Sequence, residues 1–157
     1  MTKEQIITIL SEVNDPEIPV LSIADLGILR NVEVSGEHIS ILITPTYSGC
    51  PAMETIQEDI RFALARHGLD NVEIKQSLSP AWTTDWMSEA GKQKLQEYGI
   101  AAPAANGCSL QGDDQPESCP HCHSKKIELI SRFGSTACKA LYRCLDCHEP
   151  FDYFKCH

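Results

Sequence analysis

The first hundred residues combine two spacings of apolar positions, which predict a mixed α+β domain. Helical spacing occurs in three stretches, at 6–13, 53–64 and 88–98. Strict alternation, typical of strands, occurs in three others, at 28–34, 38–44 and 71–78. Thr2 and Gln5 fit a capping box before the first helix, and Pro51 suits the first position of the second. We therefore predict the order α-β-β-α-β-α, with the helices mainly on one face of a three-stranded sheet.

Beyond residue 100 the pattern changes. Residues 101–118 are small, turn-forming or acidic without an apolar period, and they read as a linker. Residues 119–157 contain three short strand-like runs, KKIELISRF, STACKALYR and PFDYFKC. The sequence therefore predicts a first domain at 1–100, a linker at 101–118 and a small terminal domain at 119–157.

Composition narrows the class of protein. The chain has 157 residues, of which 42% are hydrophobic, as in an ordinary globular protein. Residues 1–15 lack the apolar run of a secretion signal, and no stretch approaches the roughly 20 apolar residues of a membrane span. These features predict a soluble cytoplasmic protein with no membrane partner. In that reducing compartment, crowded cysteines more often bind metal than form disulfides.

Charge is unevenly distributed along the chain, whose formal net charge is −9. Residues 1–112 hold seven Lys/Arg and fifteen Asp/Glu, whereas residues 117–157 hold six and five. A nucleic-acid-binding protein normally presents a basic face to the phosphates. We therefore predict no nucleic-acid partner.

The terminal domain contains two Cys-x-x-Cys elements, Cys119–Cys122 and Cys144–Cys147, separated by 21 residues. This spacing lets two thiolates of each knuckle face one ion, with room for a hairpin between the knuckles. A structural zinc also supplies folding free energy that about forty residues cannot obtain from burial alone. The pattern predicts a zinc ribbon. Iron, as a redox centre, and disulfides are the alternatives.

Three further cysteines have no place in a single tetrahedral site. Cys138 and Cys156 could form a second, labile thiol station, although a small buried residue and a terminal thiol are the simpler interpretation. Cys108 lies in the predicted linker, and we assign it no role.

Cys50, in TPTYSGCPAMETI, is the main chemical feature of the first domain. It falls at or beside the N-cap of the second helix, where the helix dipole favours an anion, so its thiolate should be more accessible than that of a free cysteine. A buried apolar role is the alternative. No histidine of this domain is clearly placed to activate Cys50 as the nucleophile of a hydrolase. The sequence also has no phosphate loop and no paired catalytic carboxylates, so we expect no autonomous catalysis.

Acidic residues near the start, Asp15, Glu17 and Asp25, could ligate a hard metal. The neighbouring prolines mark turns, and loop capping therefore accounts for these acids more simply.

Long strings of the sequence resemble a known family. DPEIPVLSIADLGILRNVEV and TPTYSGCPAMETI are similar to the small domain of SufT and related iron–sulfur assembly factors. LSPAWTTDWMS, YGI and the tail FGSTACKALYRC extend the resemblance over nearly the whole chain to the PaaD family, accessory subunits of the phenylacetyl-CoA epoxidase (ring-1,2-monooxygenase) system of phenylacetate breakdown.

The resemblance implies maturation rather than turnover. It places a cluster-associated cysteine at Cys50 and the ribbon cysteines at Cys119, Cys122, Cys144 and Cys147. It implies zinc as a structural cofactor and iron or an iron–sulfur cluster as transient cargo. The implied partners are the di-iron oxygenase subunit, the flavin and [2Fe–2S] reductase, and iron–sulfur assembly machinery. A structural subunit or an electron-transfer component of the same complex is the alternative.

Overall fold

The computed structural model describes residues 1–103 and 115–155. The chain folds as two compact units: the first contains Met1–Trp82 and Trp86–Ser88, and the second contains Thr83–Asp85 and the chain from Glu89 onward. No helix among the described residues is long and apolar enough to cross a membrane.

The first unit has two helices and three strands. In chain order they are α1 (Lys3–Leu10), β1 (Leu29–Ser35), β2 (His38–Ile43), α2 (Ala52–Ala65) and β3 (Val72–Gln76). The sheet order is β1-β2-β3, with β1 and β2 antiparallel and β2 and β3 parallel. The helical segment between β2 and β3 makes the parallel pairing possible, because two parallel strands need a long crossover connection.

Capping and burial explain why these segments take these forms. The Thr2 side chain accepts a hydrogen bond from the backbone N–H of Gln5, and the Gln5 side chain accepts one from the N–H of Thr2. This predicted capping box satisfies donors that have no partner within the helix. Pro51 is the N-cap of α2 rather than its first residue, so the helix begins one position later than predicted.

The core of the first unit contains one face of β2 and one stripe of α2, and α1 contacts both α2 and β1. On β2, Ile39, Ile41 and Ile43 are buried, whereas the alternate residues Ser40 and Leu42 are partly exposed. The buried stripe of α2 comprises Ala52, Met53, Ile56, Ile60 and Leu64. Each large apolar side chain buried in this way stabilises the fold by about 2 kcal/mol before entropy is counted.

Among its described residues, the second unit contains one α-helix and four strands: α3 (Glu89–Glu97), β4 (Ile100–Ala101), β5 (Ile127–Ser131), β6 (Lys139–Cys144) and β7 (Pro150–Phe154). The sheet order is β4-β7-β6-β5. Neighbours β5, β6 and β7 pair antiparallel, and β4 pairs parallel with β7. The α+β class and the three ribbon strands are therefore as predicted.

The division near residue 88 differs from the predicted boundary at residue 100. Strand β4 begins soon after α3 and pairs with β7, which draws α3 into the second unit. The sequence did not predict β4, because two apolar residues carry no periodic signal. Most of the predicted linker, including Cys108, lies outside the described residues.

The loop that precedes β1 is fastened by the residues that follow β3. The Ser88 N–H donates to the backbone oxygen of Asp25 over 2.9 Å, and the indole Nε1 of Trp82 donates to the Leu26 oxygen over 2.8 Å. Gly27 has φ +75°, and a Cβ there would lie 2.5 Å from the Trp86 carbonyl oxygen. Only glycine fits both the left-handed backbone and this close approach.

We predict that Gly27→Ala destabilises the first unit by about 3 kcal/mol, the sum of a left-handed alanine and a clash with the Trp86 backbone. The matched control is Gly36→Ala, because Gly36 has φ +63° but a Cβ at that position would meet nothing within 4 Å. That change should cost only about 1 kcal/mol. Urea denaturation followed by tryptophan fluorescence measures this unit, since both tryptophans, Trp82 and Trp86, belong to it. Equal losses from both changes would contradict the close approach.

Candidate functional site

Four cysteines of the second unit converge on one point. Cys119 and Cys122 lie in a turn before β5, Cys144 ends β6, and Cys147 lies in the turn before β7. Their sulfur atoms all lie within 4.8 Å of one another. The Sγ atoms of Cys119 and Cys147 are 3.8 Å apart, and those of Cys122 and Cys144 are 3.5 Å apart.

These separations fit a tetrahedral zinc ion. With Zn–S bonds of about 2.3 Å, the sulfur atoms at the corners of a tetrahedron are about 3.8 Å apart. Both short distances lie near this value, and four thiolates are a common ligand set of structural zinc. The predicted ligands are therefore brought together in an arrangement that can hold the ion.

The backbone of each knuckle is shaped around its sulfurs. The N–H groups of His121 and Cys147 point to the sulfurs of Cys119 and Cys144 over 3.4 and 3.5 Å. His123 and His148, the residues that directly follow the second cysteine of each knuckle, both have φ 63°. The residue after each knuckle thus adopts the same left-handed backbone conformation, although neither residue is glycine.

The pKa values of the clustered thiols differ from one another, as expected of a site suited to a cation. The backbone N–H of Cys147 is the main influence that lowers the pKa of Cys144, to about 7. The N–H of Glu149 acts in the same direction on Cys147, but lost hydration and the three neighbouring thiols raise the pKa of Cys147 to about 12. A divalent cation bound between the four sulfurs would offset their mutual repulsion and stabilise them as thiolates.

The tetrad is also part of the hydrophobic core of the second unit. Cys119 and Cys144 are fully buried in one cluster with the aromatic side chains of Tyr142, Phe151 and Tyr153. The Tyr142 ring stacks on Phe151 and meets Tyr153 edge to face. A bound ion would therefore join the two cysteine-bearing turns to the core formed by β6 and β7.

Cys138 lies apart from the metal ligands. Its side chain is buried, and its sulfur is 3.0 Å from the hydroxyl oxygen of Thr136. Cys156, the other member of the predicted second thiol station, lies outside the described residues. The second station therefore stays a prediction.

Cys50 lies in a tight turn that leads into α2. Its N–H donates to the backbone oxygen of Tyr47 over 3.3 Å, and its own oxygen accepts from the N–H of Met53. Directly after it, Pro51 caps the helix, so Cys50 occupies the predicted place beside the N-cap. The side chain is half-buried.

The acidic loop near the start of the chain lies close to this turn. The Tyr47 hydroxyl donates to a carboxylate oxygen of Glu17 over 3.3 Å. The Asp15 carboxylate accepts from the N–H groups of Glu17 and Ile18, and Asp25 accepts from the N–H of Ser22. Asp15 and Asp25 are loop caps as expected, whereas Glu17 faces the turn that carries Cys50.

The expected activation of the Cys50 thiolate is wrong. Loss of hydration is the main cause that raises the pKa of Cys50, and the charges of Glu17 and Asp15 act in the same direction. The Ala52 N–H at the helix start and the Tyr47 hydroxyl oppose this shift without reversing it. The helix effect is present, but burial and two carboxylates outweigh it. Sequence position alone could not place those carboxylates beside the sulfur.

Within residues 1–103 and 115–155, the ribbon tetrad is the only compact group of three or more Cys, His, Asp or Glu ligand atoms. Cys50, Asp15 and Glu17 do not form such a group. Within the described ranges, Cys50 therefore has no compact set of protein ligands to complete the coordination of a metal.

Two family models match the chain. A model described as an iron–sulfur cluster assembly protein matches residues 3–75, and a PaaD zinc beta ribbon domain matches residues 103–155. Both matches agree with the resemblance found in the sequence.

Relatives support these matches. The chain is 53% identical over 152 residues to a protein of Escherichia coli (strain K12) whose provisional name makes it a subunit of 1,2-phenylacetyl-CoA epoxidase, covering 97% of this chain and 92% of that protein. It is 38% identical over 96 residues to an Fe-S protein maturation auxiliary factor of Porphyromonas gingivalis (strain ATCC BAA-308 / W83), covering 60% of this chain and 90% of that protein. These similarities indicate an accessory role in iron–sulfur assembly.

Solved structures share the fold. A domain of unknown function from Bacillus anthracis superposes with a TM-score of 0.56 at 26% identity, covering 59% of this chain and 90% of that one. A conserved hypothetical protein from Thermotoga maritima superposes with a TM-score of 0.52 at 29% identity, covering 60% of this chain and 94% of that one. Their similarity supports the α+β assignment.

Removing the ribbon metal should unfold the second unit alone. A strong chelator should abolish the near-ultraviolet circular dichroism of the tyrosines packed at the tetrad, because the ion holds both knuckles in place. Tryptophan fluorescence should stay native, since both tryptophans lie in the first unit. Elemental analysis should find one zinc per chain, which Cys144→Ser should remove. Retention of the tyrosine signal after complete zinc removal would contradict this structural role.

Cys50 should react slowly with iodoacetamide at pH 7. Its raised pKa leaves less thiolate than an unstructured cysteine has, and the rate should increase as the pH rises above 9, the ordinary value. Glu17→Gln should lower the pKa and speed the reaction, because it removes a negative charge that opposes ionisation. Peptide mass spectrometry isolates the Cys50 rate from those of the other cysteines. A rate that exceeds that of an unstructured cysteine at pH 7 would restore the activated thiolate.

Proposed function

The chain belongs to the PaaD family, and from this premise we propose that it is a maturation protein for a phenylacetyl-CoA epoxidase. In this proposal it assists the assembly or protection of iron or iron–sulfur centres in that multicomponent oxygenase. The clients are the di-iron oxygenase subunit, the flavin and [2Fe–2S] reductase, or both, with iron–sulfur assembly machinery as the source of cargo. The protein has no turnover of its own.

One observation carries the proposal: the chain has two kinds of cysteine site with opposite ligand completeness. The ribbon sulfurs form a closed tetrad, which suits a resident zinc ion. Cys50 is half-buried, and the described residues add no compact ligand set around it. A cargo iron or cluster held by one protein thiolate keeps positions for ligands of a recipient. Incomplete ligation therefore suits transfer.

The acidity of Cys50 supports release rather than storage. To ligate iron the thiol must lose its proton, and its raised pKa makes the proton compete more strongly with the metal near pH 7. The Cys50–metal bond is weakened by that competition. A recipient with several low-pKa thiolates can then take the cargo.

The residues around Cys50 have separate roles in this scheme. The turn from Tyr47 to Pro51 fixes the sulfur at the start of α2, where the helix N–H groups partly offset the charge of a thiolate. The Tyr47 hydroxyl and the Glu17 carboxylate, hydrogen-bonded to each other, are polar groups next to the Cys50 sulfur. In this scheme the Glu17 carboxylate accepts the proton of the Cys50 thiol or coordinates the iron as cargo arrives.

The test is the metal content of the client. Coexpression of the epoxidase subunits with Cys50→Ser should give an oxygenase with several-fold less iron, while the variant keeps its one zinc and its tryptophan fluorescence. Ser48→Ala, at an exposed position of the same turn, should match the unchanged chain. Normal iron loading with Cys50→Ser would refute maturation through this residue and favour a structural subunit. Visible absorbance that bleaches on reduction in the isolated chain would favour electron transfer.

A further inference from the structure

Strand β5 forms one edge of the ribbon sheet, because the strand order is β4-β7-β6-β5. Within the described part of the chain, no strand pairs with its outer side. The side chains of Leu129 and Ile130 on this strand are 44% and 51% exposed. Backbone groups along such an edge can bond an extended segment of another chain.

An exposed aromatic side chain stands at the end of this edge. Phe133 is 67% exposed, yet its backbone is fixed by two hydrogen bonds with the Ser131 hydroxyl. The Lys155 ammonium lies 4.3 Å from the centre of the Phe133 ring and donates to the Arg132 carbonyl oxygen. A preorganised exposed aromatic loses little conformational freedom when a partner covers it, as at many interface hot spots.

The same segment concentrates positive charge. Residues 125–143 hold five Lys/Arg and one Asp/Glu, although the whole chain has a formal net charge of −9. The one acidic residue, Glu128, is already paired with Arg143 over 2.6 Å. Lys125 and Arg132 are exposed, whereas Lys126 lies 3.8 Å from the Asp146 carboxylate and Lys139 is buried, so Lys125 and Arg132 carry most of the attraction. The edge therefore attracts negative charge, in contrast with the rest of the chain.

We propose that the β5 edge with Arg132 and Phe133 docks an extended acidic segment of a partner protein, which adds as a strand beside β5. The backbone edge supplies hydrogen bonds, Phe133 covers an apolar residue of the segment, and the basic side chains pair with its carboxylates. The register irregularity between Leu129 and Ser131 limits the added strand to a few residues.

A protein segment fits this surface better than a nucleic acid. Leu129 and Ile130 present aliphatic surface and backbone groups, whereas single-stranded nucleic acids favour rows of aromatic residues. The chain as a whole would also repel a polyanion. The inference rests on the proposed function for the identity of the partner, which is a subunit of the epoxidase.

The sequence supplies a matched control, because the dipeptide Arg-Phe occurs at 61–62 and at 132–133. Phe62 is also 67% exposed, and it lies on α2 in the first unit. The full-length double variants R132E/F133S and R61E/F62S thus make the same reversal of charge and remove the same exposed aromatic side chain. Zinc content and tryptophan fluorescence verify that both variants fold.

The experiment measures binding of each variant to the remaining epoxidase subunits, coexpressed and purified as a complex. R132E/F133S should weaken binding at least tenfold, and R61E/F62S should leave it within twofold. Hydrogen exchange should show slower exchange of the β5 amides in the complex made with the unchanged chain. Equal binding by the two variants, or unprotected β5 amides, would overturn the proposal.

Other occupants would also overturn it. Self-association of the purified chain that R132E/F133S abolishes would identify a second copy of the chain, and equally sensitive binding of a single-stranded oligonucleotide would identify a nucleic acid. The readout is independent of metal transfer. If R132E/F133S loses binding while Cys50→Ser loads iron normally, docking stands and maturation through Cys50 fails; the reverse result refutes docking alone.

Discussion

Mutual repulsion among four sulfurs is the constraint on which the second unit depends. Cys119 and Cys144 are fully buried with Tyr142, Phe151 and Tyr153, so the same atoms serve the core and the metal site. Against the N–H of Glu149, lost hydration and the three neighbouring thiols raise the pKa of the Cys147 thiol to about 12, and a bound cation would favour ionisation of all four sulfurs. Folding of this small unit and binding of its ion are therefore one process.

Cys50, unlike the ribbon cysteines, lies in a site without a closed set of ligands. It lies at a helix start, which favours a thiolate, but burial and the charges of Glu17 and Asp15 raise its pKa. No compact ligand set surrounds it among the described residues. The chain thus separates a closed tetrad that suits a resident metal from a sulfur that, in the proposed function, binds metal in competition with a proton. That separation suits an accessory protein in iron–sulfur assembly.

Local signals in the sequence were sufficient for much of this architecture. The capping box depends only on Thr2 and Gln5, and the ribbon site was recognisable because each cysteine pair has its own local Cys-x-x-Cys spacing. Features that depend on distant residues could not be predicted. Strand β4 exists because Ile100 and Ala101 pair with β7 near the other end of the unit, and the acidity of Cys50 depends on carboxylates more than thirty residues earlier. Gly27 is likewise required because a side chain there would clash with the backbone of Trp86, a distant residue in the sequence.

The central claim is that the chain holds one resident and one transferable metal site, and the rates of metal release test it most directly. The chain is loaded with ferrous iron and sulfide without oxygen and then mixed with a chelator that binds both iron and zinc. The account predicts that iron is lost rapidly and zinc much more slowly, so that after the iron has gone X-ray absorption still shows zinc in a four-sulfur environment at about 2.3 Å. Iron that resides in the ribbon in place of zinc, or that leaves no faster than zinc, would contradict it.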